Sequence, residues 1–322
     1  MYQWRIALHP KGMSQWTVAN MPDQTGRRIL ITGANSGVGY YAALELARRG
    51  AHLLFAVRDQ TRGETALDRL RAEVPHASAE LLLLDLASLA SIRQVAATLV
   101  EEGQPLDVLI NNAGVYAPPK RLETADGFEM QFGTNVLGHF ALTALLMPAL
   151  QKAAGVPRIV ALASIAHKQG KLNFDDLQAT RSYNPNGSYY QSKLADLMLA
   201  FELDRRLRSA GSPILSVAAH PGVANTELFH KGEFSSFERT ARKAMGRLME
   251  VLLNSEAAGA LPTLFAATAL EARGGGYYGP QGFMEMRGGD VGEAKVASQA
   301  LDLNAAKQLW TTCEQLTGAT LL

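Results

Sequence analysis

The sequence predicts a single α/β domain in which helices cover both faces of a parallel sheet of about seven strands. Short apolar runs alternate with helical patterns along the chain. The first of these runs are apolar throughout instead of at every second residue, as expected for strands covered on both faces. Repeated strand–helix–strand units connect parallel strands by right-handed crossovers. Together these observations predict a doubly wound sheet of the Rossmann type.

Seven apolar runs are predicted strands, and the patterns of helical period lie mainly between them. The predicted strands are 28–32, 52–57, 80–84, 107–111, 158–163, 214–220 and 277–279. The predicted helices are 37–49, 61–73, 88–102, 127–152, 188–208 and 255–270, the fourth interrupted near 132–135. Three segments lie outside the repeat: an insertion at 168–187, a helical substrate lid at about 223–254, and a glycine cluster at 274–276.

Length and composition suit one large globular domain. The chain has 322 residues, of which 47% are hydrophobic. We expect an N-terminal extension over 1–22, poorly structured over 1–12, and the domain over 23–322. A net charge of +1 without a basic run argues against nucleic acid as a partner. The apolar stretch 140–150 is short and contains Pro148, so no membrane span is predicted.

Cysteine and histidine usage bears on compartment and on metal binding. The single cysteine, Cys313, cannot form an internal disulfide, so a cytoplasmic protein is expected. The seven histidines show no spacing typical of metal ligands, and no metal site is predicted.

A glycine-rich turn follows the first predicted strand, which ends at Thr32, and precedes a helix. Glycine permits the tight turn and the close approach of a ligand. Free amide groups at the helix start then face a pyrophosphate. The predicted contacts are Gly33, Asn35, Ser36, Gly37, Val38 and Gly39. The spacing is not Gly-x-Gly-x-x-Gly, so a turn without a ligand is the alternative.

The end of the second predicted strand bears on the type of nicotinamide cofactor. A carboxylate there suits the ribose 2′-hydroxyl of NAD, whereas a cation suits the 2′-phosphate of NADP. Val57 stands where the acid is expected, and Arg58 follows at once. A guanidinium matches phosphate geometry, so NADP is favoured over NAD. Asp59 is the alternative position for the acid, and Arg58 could instead be a surface charge paired with it.

Polar residues also end the third and fourth predicted strands, at the sheet edge where ligands bind in such folds. They are Asp85-Leu86 and Asn112-Ala113-Gly114. Asp85 could accept a hydrogen bond from an adenine amino group, or could cap the helix that begins near Ser88. For the Asn-Ala-Gly run the alternative is turn chemistry, because Asn and Gly tolerate left-handed backbone.

Tyr189 and Lys193 carry the chemical prediction. On a helix that begins near Ser188 their side chains share a face. The same spacing recurs at Tyr116 and Lys120, but two prolines between them forbid a regular helix there. An amphipathic helix with a buried tyrosine is the alternative. Combined with the glycine-rich turn, the pair predicts a carbonyl/alcohol oxidoreductase that uses a tyrosine as acid and base.

Six separated motifs, found within residues 25–318, resemble the short-chain dehydrogenase/reductase family. They are Thr32-Gly33-x-x-x-Gly37-x-Gly39, Asn111-Asn112-Ala113-Gly114, Asn135, Ser164, Tyr189-x-x-x-Lys193 and Pro221-Gly222-x-x-x-Thr226. Four further segments, at 58–63, 135–140, 190–195 and 276–279, are similar to the branch of retinol dehydrogenases and related carbonyl reductases. That branch generally favours NADP. The membrane anchor of many retinol dehydrogenases is not recognised in the chain, which puts retinoid use in doubt.

The resemblance implies a role for each matching residue. Tyr189 exchanges a proton with the substrate oxygen, and Lys193 stabilises its phenolate and binds the nicotinamide ribose. Ser164 holds the substrate oxygen, and Asn135 holds a water that links Lys193 to solvent. The cofactor contacts also include Pro221, Gly222, Val223 and Thr226.

Three questions stay open at this point. The apolar residues of the lid favour an apolar aldehyde, ketone or secondary alcohol as substrate, but such a lid could simply bury its own apolar face. A C=C reductase of the same fold would rely less on Ser164, and a non-catalytic NADP-binding regulator is a third alternative. Residues 168–187 leave open whether the helix faces that pair subunits in this family are free to form a homo-oligomer.

Overall fold

The computed structural model describes residues 16–223 and 254–322 of the chain, and in these ranges the strands form one eight-stranded sheet. The strands are β1 Arg28–Thr32, β2 His52–Val57, β3 Ser78–Leu83, β4 Val108–Asn111, β5 Arg158–Leu162, β6 Leu215–Ala219, β7 Tyr277–Pro280 and β8 Val291–Glu293. Their spatial order is β3-β2-β1-β4-β5-β6-β7-β8, with all neighbours parallel except β7 and β8. The predicted doubly wound α/β fold is therefore confirmed.

Helices cover both faces of the sheet. They are α1 Gly37–Arg48, α2 Gln60–Glu73, α3 Leu89–Glu101, α4 His139–Gln151, α5 Pro185–Ser209, α6 Glu256–Thr268 and α7 Leu303–Thr317. Residues of α1, α2 and α6 pack on one face, and residues of α3, α4, α5 and α7 on the other. In β1, Ile29 and Ile31 face the first layer and Leu30 the second. A strand buried on both faces needs consecutive apolar residues, which explains the unbroken runs in the sequence.

Two elements differ from the sequence prediction. The strand β8, which has no apolar run, was missed because it is three residues long and held by antiparallel pairing with β7 at the sheet edge. The helix α5 begins at Pro185, three residues before the predicted start at Ser188. The side chain of Asn184 accepts a hydrogen bond from the amide of Gly187 at 2.8 Å, and proline suits the first helical position.

The predicted interruption of the fourth helix is confirmed, because Phe132–Gly138 forms a π-helical segment that continues into α4. The segment Phe132–Gln151 is long and apolar enough to cross a membrane. Most of its residues are buried inside the fold, so packing in the core accounts for its composition.

The described part of the predicted N-terminal extension, residues 16–22, packs on the domain, whereas the stretch 1–12 that was predicted to be poorly structured lies outside the described residues. Trp16 is buried with its ring edge-on to Phe265, and Met21 is also buried. Apart from its end residues Val223 and Asn254, the predicted lid lies outside the described residues. These two ends are joined, since the amide of Asn254 donates to the carbonyl of Val223 at 2.9 Å.

Candidate active site

The glycine-rich turn between β1 and α1 has a backbone that only glycine accommodates well. Gly37 adopts a left-handed φ of 59°. A Cβ on Gly39 would overlap the side-chain amide of Asn112 and lie 2.6 Å from the carbonyl oxygen of Gly33. The turn therefore lies directly against the loop that follows β4.

Thr32 and Asn112 tie that turn to the loop after β4. The side-chain amide of Asn112 donates to the carbonyl of Thr32 at 2.7 Å. The backbone amides of Asn112 and Ala113 both donate to the Thr32 hydroxyl at 2.9 Å. Asn112 thus holds the backbone of the glycine-rich turn in place. Gly114 lies further along the loop, where a Cβ would be 3.9 Å from the Nζ of Lys193.

His139, which the sequence analysis did not single out, joins the π-helical segment to β1. Its Nδ1 lies 2.8 Å from the carbonyl of Asn135, which can only accept, so Nδ1 carries the proton. Its Nε2 then accepts from the Thr32 hydroxyl at 2.9 Å. Burial lowers the pKa of His139 to about 4, which keeps this ring neutral. Its spacing of four residues from Asn135 was the available sequence signal.

Asn135 lies in the π-helical segment and is fully buried. Its side-chain oxygen accepts from the amide of Val115 at 2.7 Å, and its side-chain nitrogen donates to the carbonyl of Val115 and to the hydroxyl of Ser192. These bonds fix the loop after β4 against α5. The water predicted to join Asn135 and Lys193 stays a prediction.

Ser164, Tyr189 and Lys193 come together at the carboxyl edge of β5. Ser164 follows β5, and its side chain acts on the phenol of Tyr189, whose pKa it lowers. Lys193 lies one turn after Tyr189 in α5, with its Nζ 6.0 Å from the centre of the tyrosine ring. The same Nζ donates to the carbonyl of Leu162 at the end of β5 at 2.8 Å. The helix is thus fastened to the strand that leads to the serine.

Burial and neighbouring charges set the protonation of Tyr189 and Lys193. Burial raises the pKa of Tyr189 because it disfavours the phenolate, while Lys193 and the side chain of Ser164 oppose that rise. Burial also disfavours the charge on Lys193, yet attraction by Asp196 and Tyr189 leaves its pKa above the ordinary value. At neutral pH the site therefore presents a phenol next to an ammonium.

The end of β2 and the start of α1 provide the groups predicted to bind a dinucleotide. Arg58 is exposed just beyond β2, and in the described ranges it forms no ion pair. Asp59 caps α2, since its side chain accepts from the amide of Arg62 at 3.0 Å. Ser36 begins α1 without a capping hydrogen bond from its side chain. Unpaired amides at this helix start suit a phosphate group, so these residues fit the cofactor.

The remaining predicted cofactor contacts lie at the same edge of the sheet. Asp85 is half-buried, and one of its oxygens accepts from the amide of Ala87 at 3.0 Å, while Ser88 is the cap of α3. After β6, the amide of Gly222 donates to Nδ1 of His220 at 3.2 Å. The other predicted cofactor contacts that lie within the described residues are Asn35, Val38, Leu86, Pro221 and Val223. Thr226 lies outside the described residues.

This arrangement agrees with a match to the short chain dehydrogenase family model over residues 27–233. The chain belongs to this family. Human retinol dehydrogenase 13 is 41% identical over 301 residues, covering 91% of this chain and 85% of that protein. Mouse polyprenol dehydrogenase is 40% identical over 304 residues, covering 93% and 86%. The resemblance to the retinol dehydrogenase branch is therefore confirmed.

Solved structures agree with this assignment. The crystal structure of an uncharacterized protein from Mycobacterium paratuberculosis is 38% identical with a TM-score of 0.77, covering 96% of this chain and all of that one. A candidate NAD(P)-dependent gluconate 5-dehydrogenase from Beutenbergia cavernae, crystallised with NADP at low occupancy, is 25% identical with a TM-score of 0.60. It covers 79% of this chain, and 94% of its own length is matched. This short-chain dehydrogenase is accordingly an oxidoreductase that acts on a small molecule with a nicotinamide dinucleotide.

Two further side chains of this short-chain dehydrogenase enter the site without having been predicted there. Tyr116, noted in the sequence only for its spacing to Lys120, places its ring edge-on to Tyr189 with 4.7 Å between ring centres. Asp196 pairs with Lys193 through Nζ and Oδ2 at 2.8 Å. Its spacing of three residues from Lys193 on a helix was a usable signal, whereas the position of Tyr116 depends on the loop after β4.

Proposed function

We propose that the protein is an NADP(H)-dependent oxidoreductase that interconverts an apolar carbonyl compound and its alcohol. The observation that carries this proposal is the buried phenol of Tyr189, which lies next to Ser164 and one helical turn from Lys193. All three lie at the carboxyl edge of the sheet, next to the glycine-rich turn. Such an edge is where ligands bind in doubly wound folds.

Tyr189 is the proton donor when a carbonyl is reduced. Burial keeps its pKa above the ordinary value, so its hydroxyl is protonated at neutral pH. The hydroxyl of Ser164 holds the substrate oxygen and stabilises the negative charge that develops there. In the oxidative direction Tyr189 accepts the proton, and Lys193 stabilises the resulting phenolate. The nicotinamide cofactor supplies or accepts the hydride when it is bound.

Two observations support NADP over NAD. Arg58 is exposed at the end of β2, where a guanidinium suits the 2′-phosphate. Asp59, the alternative acid for a ribose hydroxyl, already caps α2. The bound NADP of the Beutenbergia structure agrees with this preference but belongs to that protein.

An apolar substrate is supported by the aromatic wall of the site and by the relatives. The ring of Tyr116 lies edge-on to that of Tyr189 and adds an apolar surface to the site. The relatives reported above are named for retinol and polyprenol, two apolar alcohols. We therefore propose aldehydes and ketones with a long apolar tail, and the corresponding primary or secondary alcohols, as the substrate class.

Tyr189→Phe tests the proposed chemistry, with Tyr190→Phe as a matched control on the same helix. With NADPH and an apolar aldehyde, Tyr189→Phe is expected to lower kcat roughly 10²- to 10⁴-fold, as loss of a general acid does. NADPH affinity, measured by calorimetry, should stay near that of the parent protein because only one hydroxyl is lost. Tyr190→Phe should retain turnover. Near-normal turnover of Tyr189→Phe on every active substrate would remove Tyr189 from its role.

Ser164→Ala separates the proposed reaction from the two alternatives. Carbonyl reduction should fall about 10²- to 10³-fold when a donor to the developing oxyanion is removed. A C=C reductase would be indifferent to this change on an enone substrate. A non-catalytic regulator would bind NADPH but turn over no member of a panel of aldehydes, ketones and alcohols.

A further inference from the structure

Asp196 forms a buried ion pair with the catalytic lysine. It lies three residues after Lys193 in α5, with 2.8 Å between Oδ2 and Nζ, and the two side chains are only 9% and 7% exposed. Lys193 also donates to the carbonyl of Leu162 at 2.8 Å. The ammonium of Lys193 has three N–H donors, and two of them are used by Asp196 and by the carbonyl of Leu162. One donor is therefore left for the phenol or a ribose.

Among the residues that the structure describes, the neighbouring helices bring two titratable groups to this pair, and both are neutral. The α4 side presents His139, whose pKa is lowered to about 4 by burial, so it is neutral. The α7 side presents Cys313, whose pKa burial raises far above neutral pH, so it is a neutral thiol. In the ranges 16–223 and 254–322, neither Lys193 nor Asp196 forms an ion pair with a third group.

Asp196 is charged under ordinary conditions. Burial raises its pKa to about 6, against the attraction of Lys193, so the carboxylate is ionised above that pH. Its negative charge also raises the pKa of Tyr189, in the direction opposite to the effect of Lys193. Lys193 thus acts on the phenol as one half of an ion pair.

We propose that Asp196 is a positioning residue that holds the ammonium of Lys193 beside Tyr189 and weakens the attraction of that ammonium for the phenolate. Phenol, ammonium and carboxylate together carry no net charge. Removing the phenol proton leaves a net negative charge in a buried site, where charge is costly. The ion pair therefore favours the protonated phenol, which is the form that donates a proton to a carbonyl. This inference rests on the proposed role of Tyr189.

Asp196→Asn tests the inference through the pH dependence of alcohol oxidation, which needs the phenolate. The midpoint of kcat/KM against pH should move to lower pH by about one to two units, because removal of one nearby charge shifts the pKa of a buried group by this order. A second readout is the ultraviolet absorbance of tyrosinate during a pH titration. The Tyr189 signal is obtained by subtracting the titration of the Tyr189→Phe variant in the same background. Its midpoint should shift by the same amount.

Asp204→Asn is the matched control, because Asp204 is a buried carboxylate on the same helix that pairs with Arg208 at 2.7 Å. This variant should leave both midpoints unchanged. Asp196→Glu retains the charge and should keep the midpoints near those of the parent protein. Unchanged midpoints in Asp196→Asn, or an equal shift in Asp196→Glu, would overturn the inference. Retained activity in Tyr189→Phe would instead overturn the proposed function, so the two failures are distinguishable.

Discussion

At the scale of single residues, the structure assigns different roles to a cation and an acid at the end of β2, which the sequence could not do. Arg58 and Asp59 are adjacent, and the sequence left open a surface ion pair between them. In the structure Asp59 faces the start of α2, where its side chain bonds to the amide of Arg62. Arg58 is exposed just beyond the end of β2. Asp59 is used as a helix cap and is therefore not paired with Arg58; helix capping is a local effect.

Arg58→Asp is expected to reverse the cofactor preference. The parent protein should bind NADPH about 10- to 100-fold more tightly than NADH, the size of one hydrogen bond to a charged group. The variant exchanges a partner of the 2′-phosphate for a partner of the 2′-hydroxyl, so NADH should become the tighter ligand in calorimetry. Lys307→Asp, an equal charge change on an exposed residue of α7, should leave the preference unchanged. Equal affinities of the parent protein for both cofactors would contradict the assignment.

At the scale of elements, the contacts of the π-helical segment Phe132–Gly138 and of α4 explain why the helical pattern of the sequence is interrupted there. Asn135 and His139 turn inward to hold the loop after β4 and the end of β1. Gly138 allows the backbone around Leu86 to approach, since a Cβ there would lie 2.5 Å from the carbonyl oxygen of Leu86. A π-helical turn of this kind is frequent at functional sites.

Gly138→Ala is expected to destabilise the protein, although alanine favours an ordinary helix by about 1 kcal/mol over glycine. The new methyl group meets a backbone oxygen, so the helix must shift, at a cost of about 1–3 kcal/mol. Denaturant unfolding measures the change. Gly155→Ala is the control, because no atom lies within 4 Å of a Cβ at that position and its φ is ordinary. A more stable Gly138→Ala variant would show that the approach of Leu86 is not limiting.

At the scale of the whole molecule, buried histidines couple folding to pH. Burial lowers the pKa of His139 to about 4 and that of His220 to about 3, below the ordinary value of about 6.5. Between these values the unfolded chain binds more protons than the folded one. The stability that these neutral rings contribute is therefore complete above pH about 6.5 and is lost as the pH falls. The pKa of Asp196 is raised to about 6. Between the ordinary pKa of an aspartate and that value, this carboxyl therefore makes the folded protein less stable as the pH rises.

His139→Asn isolates one part of this dependence. Between pH about 6.5 and 4.5 the free energy of unfolding should fall by about 2 kcal/mol more in the parent protein than in the variant. The variant should be less stable at neutral pH, because it loses the bonds to Thr32 and Asn135, but its pH profile should be flatter. His76→Asn changes an exposed ring and should reproduce the parent profile. Parallel profiles for the parent protein and His139→Asn would refute the coupling.

The sequence by itself determined the layered sheet, the positions of its first seven strands along the chain and the motifs at its carboxyl edge. These follow from local rules: apolar runs for strands buried on both faces, and helical spacing for Tyr189 and Lys193. Strand β8 was not predicted, because three residues without an apolar run show no periodic pattern.

Only the tertiary structure decided which polar groups share the site. Tyr116 meets Tyr189 because the loop after β4 turns toward α5, and His139 meets Thr32 across two elements that are distant in sequence. The spacing of three residues on a helix could have indicated that Lys193 pairs with Asp196, but the strength of that pair could not be inferred from the sequence. The physical reason is burial: an ion pair next to a phenol matters when water is excluded, and exclusion of water is a property of the packed fold.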